Sequence, residues 1–144
     1  MALGLGAKEY EKRVIEYARE KCGKNIIFTG FRNDLKEIYK ELDIVVHPSH
    51  SENLGGAAES LAAGVPTIAT NIGGFPDIII DNETGYLCNV KDPDSIVECI
   101  NKMLKDYDNS LKMAKKGQEL VKSLLDINVT TNKMIEIYKK IKEV

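Results

Sequence analysis

Runs of consecutive apolar residues alternate along this chain with stretches that are apolar only every third or fourth position. Tyr10, Val14, Tyr17 and Ala18 recur at helical spacing, so a helix is predicted from Lys8 to Cys22, with Gly23 placed to stop it. The preceding Leu3-Gly4-Leu5-Gly6 reads as a strand end and turn. Ile26, Ile27 and Phe28 are apolar in succession, which predicts a strand over Asn25 to Thr29 of the kind buried on both faces of a parallel sheet. Asp34 and Glu37 then have the spacing of a capping box, ahead of the stripe Leu35, Ile38, Tyr39 and Leu42. A second strand is predicted over Asp43 to His47 and a third over Pro66 to Thr70. Between them Ala58, Leu61, Ala62 and Val65 predict a short helix with those residues toward a core.

The pattern continues with a glycine loop over Asn71 to Gly74 and a short helix through Ile80, with Pro76 in its first turn. A turn over Asp81 to Gly85 precedes a short strand, Tyr86-Leu87-Cys88. Asp92-Pro93 opens a helix whose stripe is Ile96, Ile100, Met103, Leu104 and Tyr107. Two more helices are predicted, Ser110 to Leu125 and Val129 to Lys140, the latter with Met134, Ile137, Tyr138 and Ile141 on one side. Strands alternating with helices imply right-handed βαβ units, hence an α/β fold with a doubly wound, Rossmann-like parallel sheet and a helical C-terminal segment. In such sheets ligands bind beyond the carboxyl ends of the strands. The loops Gly30–Asn33, Pro48–Gly55 and Asn71–Gly74 all follow predicted strands, so they are expected to converge on one edge.

Composition narrows the classes. The chain has 144 residues, 43% hydrophobic and 29% charged, with a net charge of −2. That length suits one domain, which buries roughly two thirds of its unfolded surface. The charge argues against an electrostatic nucleic-acid partner. No apolar run approaches a membrane span, and MALGLGAKEY has no secretory leader pattern. Cys22, Cys88 and Cys99 form no CxxC pair, so they are expected as buried free thiols of a reducing compartment and not as metal ligands.

The candidate chemistry sits in SENLGGAAESLAAGVP, Ser51 to Pro66. Gly55 and Gly56 open a helix whose free N–H groups and dipole suit an anion such as phosphate. Glu52 precedes it and Glu59 lies within it; ionised carboxylates accept hydrogen bonds from sugar or ribose hydroxyls. The same Gly-Gly also reads as a tight strand-to-helix turn and nothing more. Arg32 is either a base or phosphate contact or a solvated arginine. His47 reads as structural, Ser49 and Ser51 as turn or cap residues, Asp77 as a cap and Tyr86 as core, while His50 offers an imidazole near a diphosphate.

These residues carry a resemblance. FTGFRNDL (Phe28–Leu35), DIVVHPSHSENLGGAAESLAAGVPTIAT (Asp43–Thr70), the Gly73-Gly74 loop and DNETGYL (Asp81–Leu87) together resemble the C-terminal half of family 4 (group 1) nucleotide-sugar glycosyltransferases, which have the GT-B fold. The family motif has seven residues between its glutamates, whereas six lie between Glu52 and Glu59 here. Asn53-Leu54-Gly55 stands where Gly-Phe-Gly is usual, and Glu59 keeps the family spacing to Gly64-Val65-Pro66.

The resemblance implies a retaining transferase that moves a sugar from a nucleotide diphosphate donor to an acceptor hydroxyl, in polysaccharide or glycan biosynthesis. It implies Glu59 on the ribose, Glu52 on the donor sugar as the catalytic residue, and Asn53, Leu54, Gly55 and Gly56 facing sugar and phosphates. Phe31 and Arg32 would lie beside the base, with His50 near the diphosphate. No metal or cofactor is expected besides the donor. The chain is expected to be a partial donor-binding domain, 1–144, without the N-terminal acceptor domain and the first strand–helix unit. Its expected partners are the nucleotide sugar, that missing domain, or a second copy through the last helix. A cytoplasmic setting is expected, with the full-length enzyme at the inner face of the membrane. Two other readings stay open, a non-catalytic nucleotide-binding module and a receiver-like interaction domain. A receiver would want acidic strand ends, but these read Thr29-Gly30 and His47-Pro48; a dinucleotide dehydrogenase would want a third glycine at Glu9.

Overall fold

A computed structural model describes residues 5–51 and 54–142, with side chains from Lys8 onward. They form two compact units, divided after Leu35. In the first, helix α1 (Leu5–Cys22) carries Arg19 and Lys21 in its last turn, where cations complement the helix dipole. Gly23 ends it at φ +56°, a left-handed conformation cheap only for glycine, and opens a 3₁₀ turn, Gly23–Asn25. Leu5 and Gly6 are helical and not a strand end, while Leu3 and Gly4 lie outside the described residues. The strand predicted over Asn25 to Thr29 is also corrected, because the segment enters no ladder. A strand needs a hydrogen-bonded neighbour, and the described residues of this unit hold no other strand. Ile27 is accordingly 82% exposed, and Tyr10 and Tyr17 of α1 are exposed rather than buried. The predicted box acids pair elsewhere. Asp34 takes the guanidinium of Arg32 on two sides (Nε to Oδ1 2.7 Å), and Glu37 takes Lys40 Nζ at 2.7 Å.

The second unit begins within α2 (Leu35–Lys40). Strands β1 (Val45–His47), β2 (Thr67–Thr70) and β3 (Tyr86–Cys88) form one parallel sheet in the order β1-β2-β3, with Val46 beside Ile68 and Ile68 beside Tyr86. Helix α3 (Gly55–Ala63) joins β1 to β2, and α4 (Phe75–Ile78) lies between β2 and β3. Three helices follow, α5 (Pro93–Lys105), α6 (Tyr107–Leu125) and α7 (Ile127–Lys142). Alternate residues of a strand face opposite sides, and β2 seeds a core on each. Ala69 packs with Ala57, Leu61, Phe75, Ile78, Ile79 and Val121, on the side of α3, α4 and α6. Ile68 packs with Cys88, Cys99 and Met103 beneath α5. All four residues of β2 are buried, as a doubly covered strand requires.

Three predicted stripes are rotated or wet. In α3 the buried residues are Ala57, Ser60 and Leu61, while Ala62 is exposed. In α5 Met103 is buried but Leu104 is 57% exposed. In α7 Met134, Ile137, Tyr138 and Ile141 are all exposed. The helix starts follow their chemistry. Asp92 accepts the Ser95 amide at 3.1 Å ahead of Pro93, and Asp106 accepts the Asn109 amide at 3.1 Å. Tyr86 is half-buried, with Lys102 Nζ 5.9 Å from its ring centre.

Candidate functional site

Because β1 and β2 run parallel, the segments that follow them leave the same edge of the sheet. They also touch. Leu54, the residue before α3, is left-handed at φ 90°, a conformation that costs a branched side chain about 1–2 kcal/mol. Its side chain packs on the core and covers Gly74, where an added Cβ would lie 3.1 Å from Leu54 Cδ1. The glycine loop after β2 therefore meets the start of α3.

That helix start is held from beneath by His47, the last residue of β1. A Cβ on Gly56 would lie 3.1 Å from His47 Cε1 and 3.2 Å from Nδ1, so only a glycine lets the first turn sit this close to the ring. His47 stacks at a tilt on Phe75 (5.8 Å between ring centres), and its Nε2 lies 3.1 Å from Ser60 Oγ. Ser60 Oγ donates to the Ala57 carbonyl, and Thr67 Oγ1 donates to the Val65 carbonyl or to Ser60. Thr70 Oγ1 donates to the Ser49 carbonyl at 2.7 Å and pins the loop leaving β1. The histidine is thus part of the scaffold, as its place at a strand end suggested. The result is a glycine-opened helix N-terminus with a fixed position at the C-terminal edge of a parallel sheet, the place where such folds present backbone amides to anions.

Glu59 lies on α3 and is exposed. Tyr39, near the end of α2 and half-buried, lies near enough to feel its charge. Burial, then the nearby Glu59 carboxylate, push the Tyr39 phenol above the ordinary tyrosine range. Glu59 borders an open, largely apolar groove of about 490 Å³, with Ala58, Ala62, Val121 and Leu125 among its walls and Lys122 also lining it. The arrangement offers an exposed carboxylate acceptor on the helix whose start attracts anions.

The other predicted site residues divide as follows. Leu54, Gly55, Gly56 and Glu59 are brought onto one helix start, and His50 is exposed on the loop that leads to it. Glu52 and Asn53 lie outside the described residues. Phe31 and Arg32 belong to the first unit, where Phe31 is 96% exposed. Arg32 pairs with Asp34, which holds the guanidinium above its usual range and the Asp34 carboxyl below its own. Of the cysteines, Cys88 and Cys99 are buried and Cys22 is exposed, so one of the three departs from expectation. Among the described residues no group of His, Cys, Asp or Glu is arranged to hold a metal ion. Sequence reading missed Tyr39, which it assigned to a buried stripe, and the Ser60–Thr67 pair. No spacing rule links a helix-end tyrosine to a glutamate on the following helix.

Comparison with known proteins agrees with this geometry. Residues 4–120 match the family model described as glycosyl transferases group 1. The chain is 32% identical over 97 residues to the N-acetyl-alpha-D-glucosaminyl L-malate synthase of Bacillus anthracis, covering 67% of this chain and 26% of that one. It is similar to the C-terminal domain of a group 1 glycosyl transferase, LpcC, from Francisella tularensis (35% identity, TM-score 0.72, 83% of this chain and 64% of that one). It shares its fold with Anabaena HepE, solved in complex with UDP (22% identity, TM-score 0.88, 94% of this chain and 38% of that one). The chain spans about a quarter of the length of the Bacillus relative. With an α/β fold that matches GT-B glycosyltransferases and a family match over most of its length, this chain belongs to the group 1 glycosyl transferases and has the form of their C-terminal domain.

Proposed function

We propose that this chain binds the nucleotide sugar of a retaining glycosyltransferase that transfers the sugar to an acceptor hydroxyl in polysaccharide or glycan biosynthesis. The observation that carries this is the fixed, glycine-opened start of α3 with the Glu59 carboxylate on the same helix. Amides at a helix start complement a diphosphate, and a carboxylate complements the two hydroxyls of a ribose. UDP in the HepE structure, which has the same fold, supports the same ligand class. In this reading Glu59 takes the ribose, and the backbone of residues 53–56 faces the sugar and phosphates. Glu52 holds the donor sugar as the catalytic residue, His50 lies near the diphosphate, and Phe31 and Arg32 lie beside the base. The leaving diphosphate is stabilised by amides and basic side chains without a metal or cofactor. The setting we assign is cytoplasmic, at the inner face of the membrane for the full-length enzyme.

Calorimetric titration with UDP tests the reading. Wild-type chain binds weakly, and Glu59→Gln weakens binding by about 1–3 kcal/mol, the range for losing a charged hydrogen-bond acceptor. Equal affinity in the two proteins removes Glu59 from the site. A receiver-like domain would bind neither UDP nor a UDP-sugar.

A further inference from the structure

We infer that helix α7 is a membrane-surface anchor, which lays its apolar stripe into the headgroup region of an anionic lipid bilayer. This rests on the membrane setting assigned above and names the element that meets the surface; it is independent of the donor site. All sixteen residues of α7 are exposed. Ile127, Met134, Ile137, Tyr138 and Ile141 recur at helical spacing, so they share one face. Ile127, Tyr138 and Ile141 are each 62–75% exposed. A contiguous apolar face left in water marks a contact surface.

The charge of the helix selects what covers that face. Lys133, Lys139, Lys140 and Lys142 stand against a single acid, Glu136, so four lysines less one glutamate give α7 a charge of +3 in a chain whose net charge is −2. At about 100° per residue, Lys133 and Lys140 border the stripe on one side and Lys142 on the other, while Glu136 falls on the opposite face. Lysines flanking an apolar stripe that carries a tyrosine fit the boundary between lipid headgroups and acyl chains. Their stems lie along apolar surface while the ammonium groups reach the lipid phosphates. Pairing with a second copy through the same stripe would bring two sets of lysines together, and like charges oppose it. The helix rises about 24 Å, short of the roughly 30 Å hydrocarbon core, so it lies on a bilayer and does not cross it.

Cosedimentation with vesicles tests this, using phosphatidylcholine mixed with phosphatidylglycerol and, separately, phosphatidylcholine alone. Wild-type chain binds the mixed vesicles and not the neutral ones, and added salt weakens the binding. Lys133→Gln with Lys140→Gln weakens it about thirty-fold, roughly five-fold for each lysine removed from a charged surface. Ile137→Glu with Ile141→Glu abolishes it. Circular dichroism melts check that both variants are folded, and a UDP titration of the same preparations reads the donor site separately. Equal binding to the two kinds of vesicle overturns the inference. Binding that survives both variants also overturns it and leaves the membrane setting standing on another surface. Wild-type chain that stays off the mixed vesicles overturns it as well, and a sedimentation dimer lost in Ile137→Glu with Ile141→Glu would then assign the stripe to a second copy.

Discussion

At the scale of single residues, Gly117 shows how closely α6 approaches α3. A Cβ there would lie 2.6 Å from Leu61 Cδ2 and 3.0 Å from the Thr84 carbonyl oxygen. Leu61 is fully buried, so it has nowhere to withdraw. Gly117→Ala should therefore cost about 1–3 kcal/mol, as overpacked cores do, and a chemical denaturation series should show the lower midpoint. A midpoint equal to wild type would mean that the α3–α6 contact is loose. Asp92 makes a pH-dependent contribution. The Ser95 amide, then the Asn89 side chain, hold its carboxyl below the ordinary aspartate range. A depressed folded pKa adds stability that is complete above the unfolded value, near 3.9, and is lost as pH falls through the lower folded value. The gap in melting temperature between wild type and Asp92→Ala should thus be present at neutral pH and close in strong acid. A gap that persists in acid would assign the effect to packing. Residue roles were the least legible part of the chain. Ser60 is polar by composition, yet it is buried because His47 and Thr67 occupy its hydroxyl, and this turned the α3 stripe by one position. The left-handed Leu54 was illegible too, because a leucine announces no positive φ.

Elements were more legible, where their signal is local. The helices and the parallel strands β1 to β3 lie where runs of apolar residues and cap chemistry placed them, within a few residues at each end. The failure over Asn25 to Thr29 has a plain cause: an apolar run announces a strand but cannot name the neighbour that would complete it. Helix α7 shows the same limit in another form. Its stripe of Met134, Ile137, Tyr138 and Ile141 was expected either to fold onto the unit or to pair with another copy, and these side chains are 49–65% exposed. The stripe therefore does not pack within the chain. Ile137→Glu with Ile141→Glu should leave thermal stability within about 0.5 kcal/mol of wild type, as substitutions away from packed sites do. If copies pair through this face, sedimentation should also show a dimer becoming a folded monomer, with any fall in melting temperature limited to the concentration-dependent part that association supplies. A large fall in melting temperature would instead show that the stripe is packed internally.

At the scale of the whole molecule, what the chain holds sets what it should do. Among the described residues no helix is long and apolar enough to cross a membrane. In the proposed reading the site built on α3 offers a helix start to the diphosphate and a carboxylate to the ribose, both of them binding devices. Transfer asks for more. The acceptor hydroxyl must be brought within reach of the donor carbon, and water must be kept out while the diphosphate leaves. In the proposed reading the acceptor binds on another half of a two-domain enzyme, and the chain spans about a quarter of the Bacillus relative. We therefore predict that the purified chain binds a UDP-sugar weakly and transfers none of it. Positioning alone accounts for as much as roughly 7–11 kcal/mol of a barrier, so its loss should take turnover below detection instead of merely slowing it. Incubation with radiolabelled donor and a panel of sugar acceptors, followed by chromatography, measures this directly. Glycosylated acceptor above the no-protein control would refute the prediction and show that the chain carries its own acceptor site. Slow release of free sugar would not, provided Glu52→Ala releases it at the same rate, because background hydrolysis needs no residue of this site.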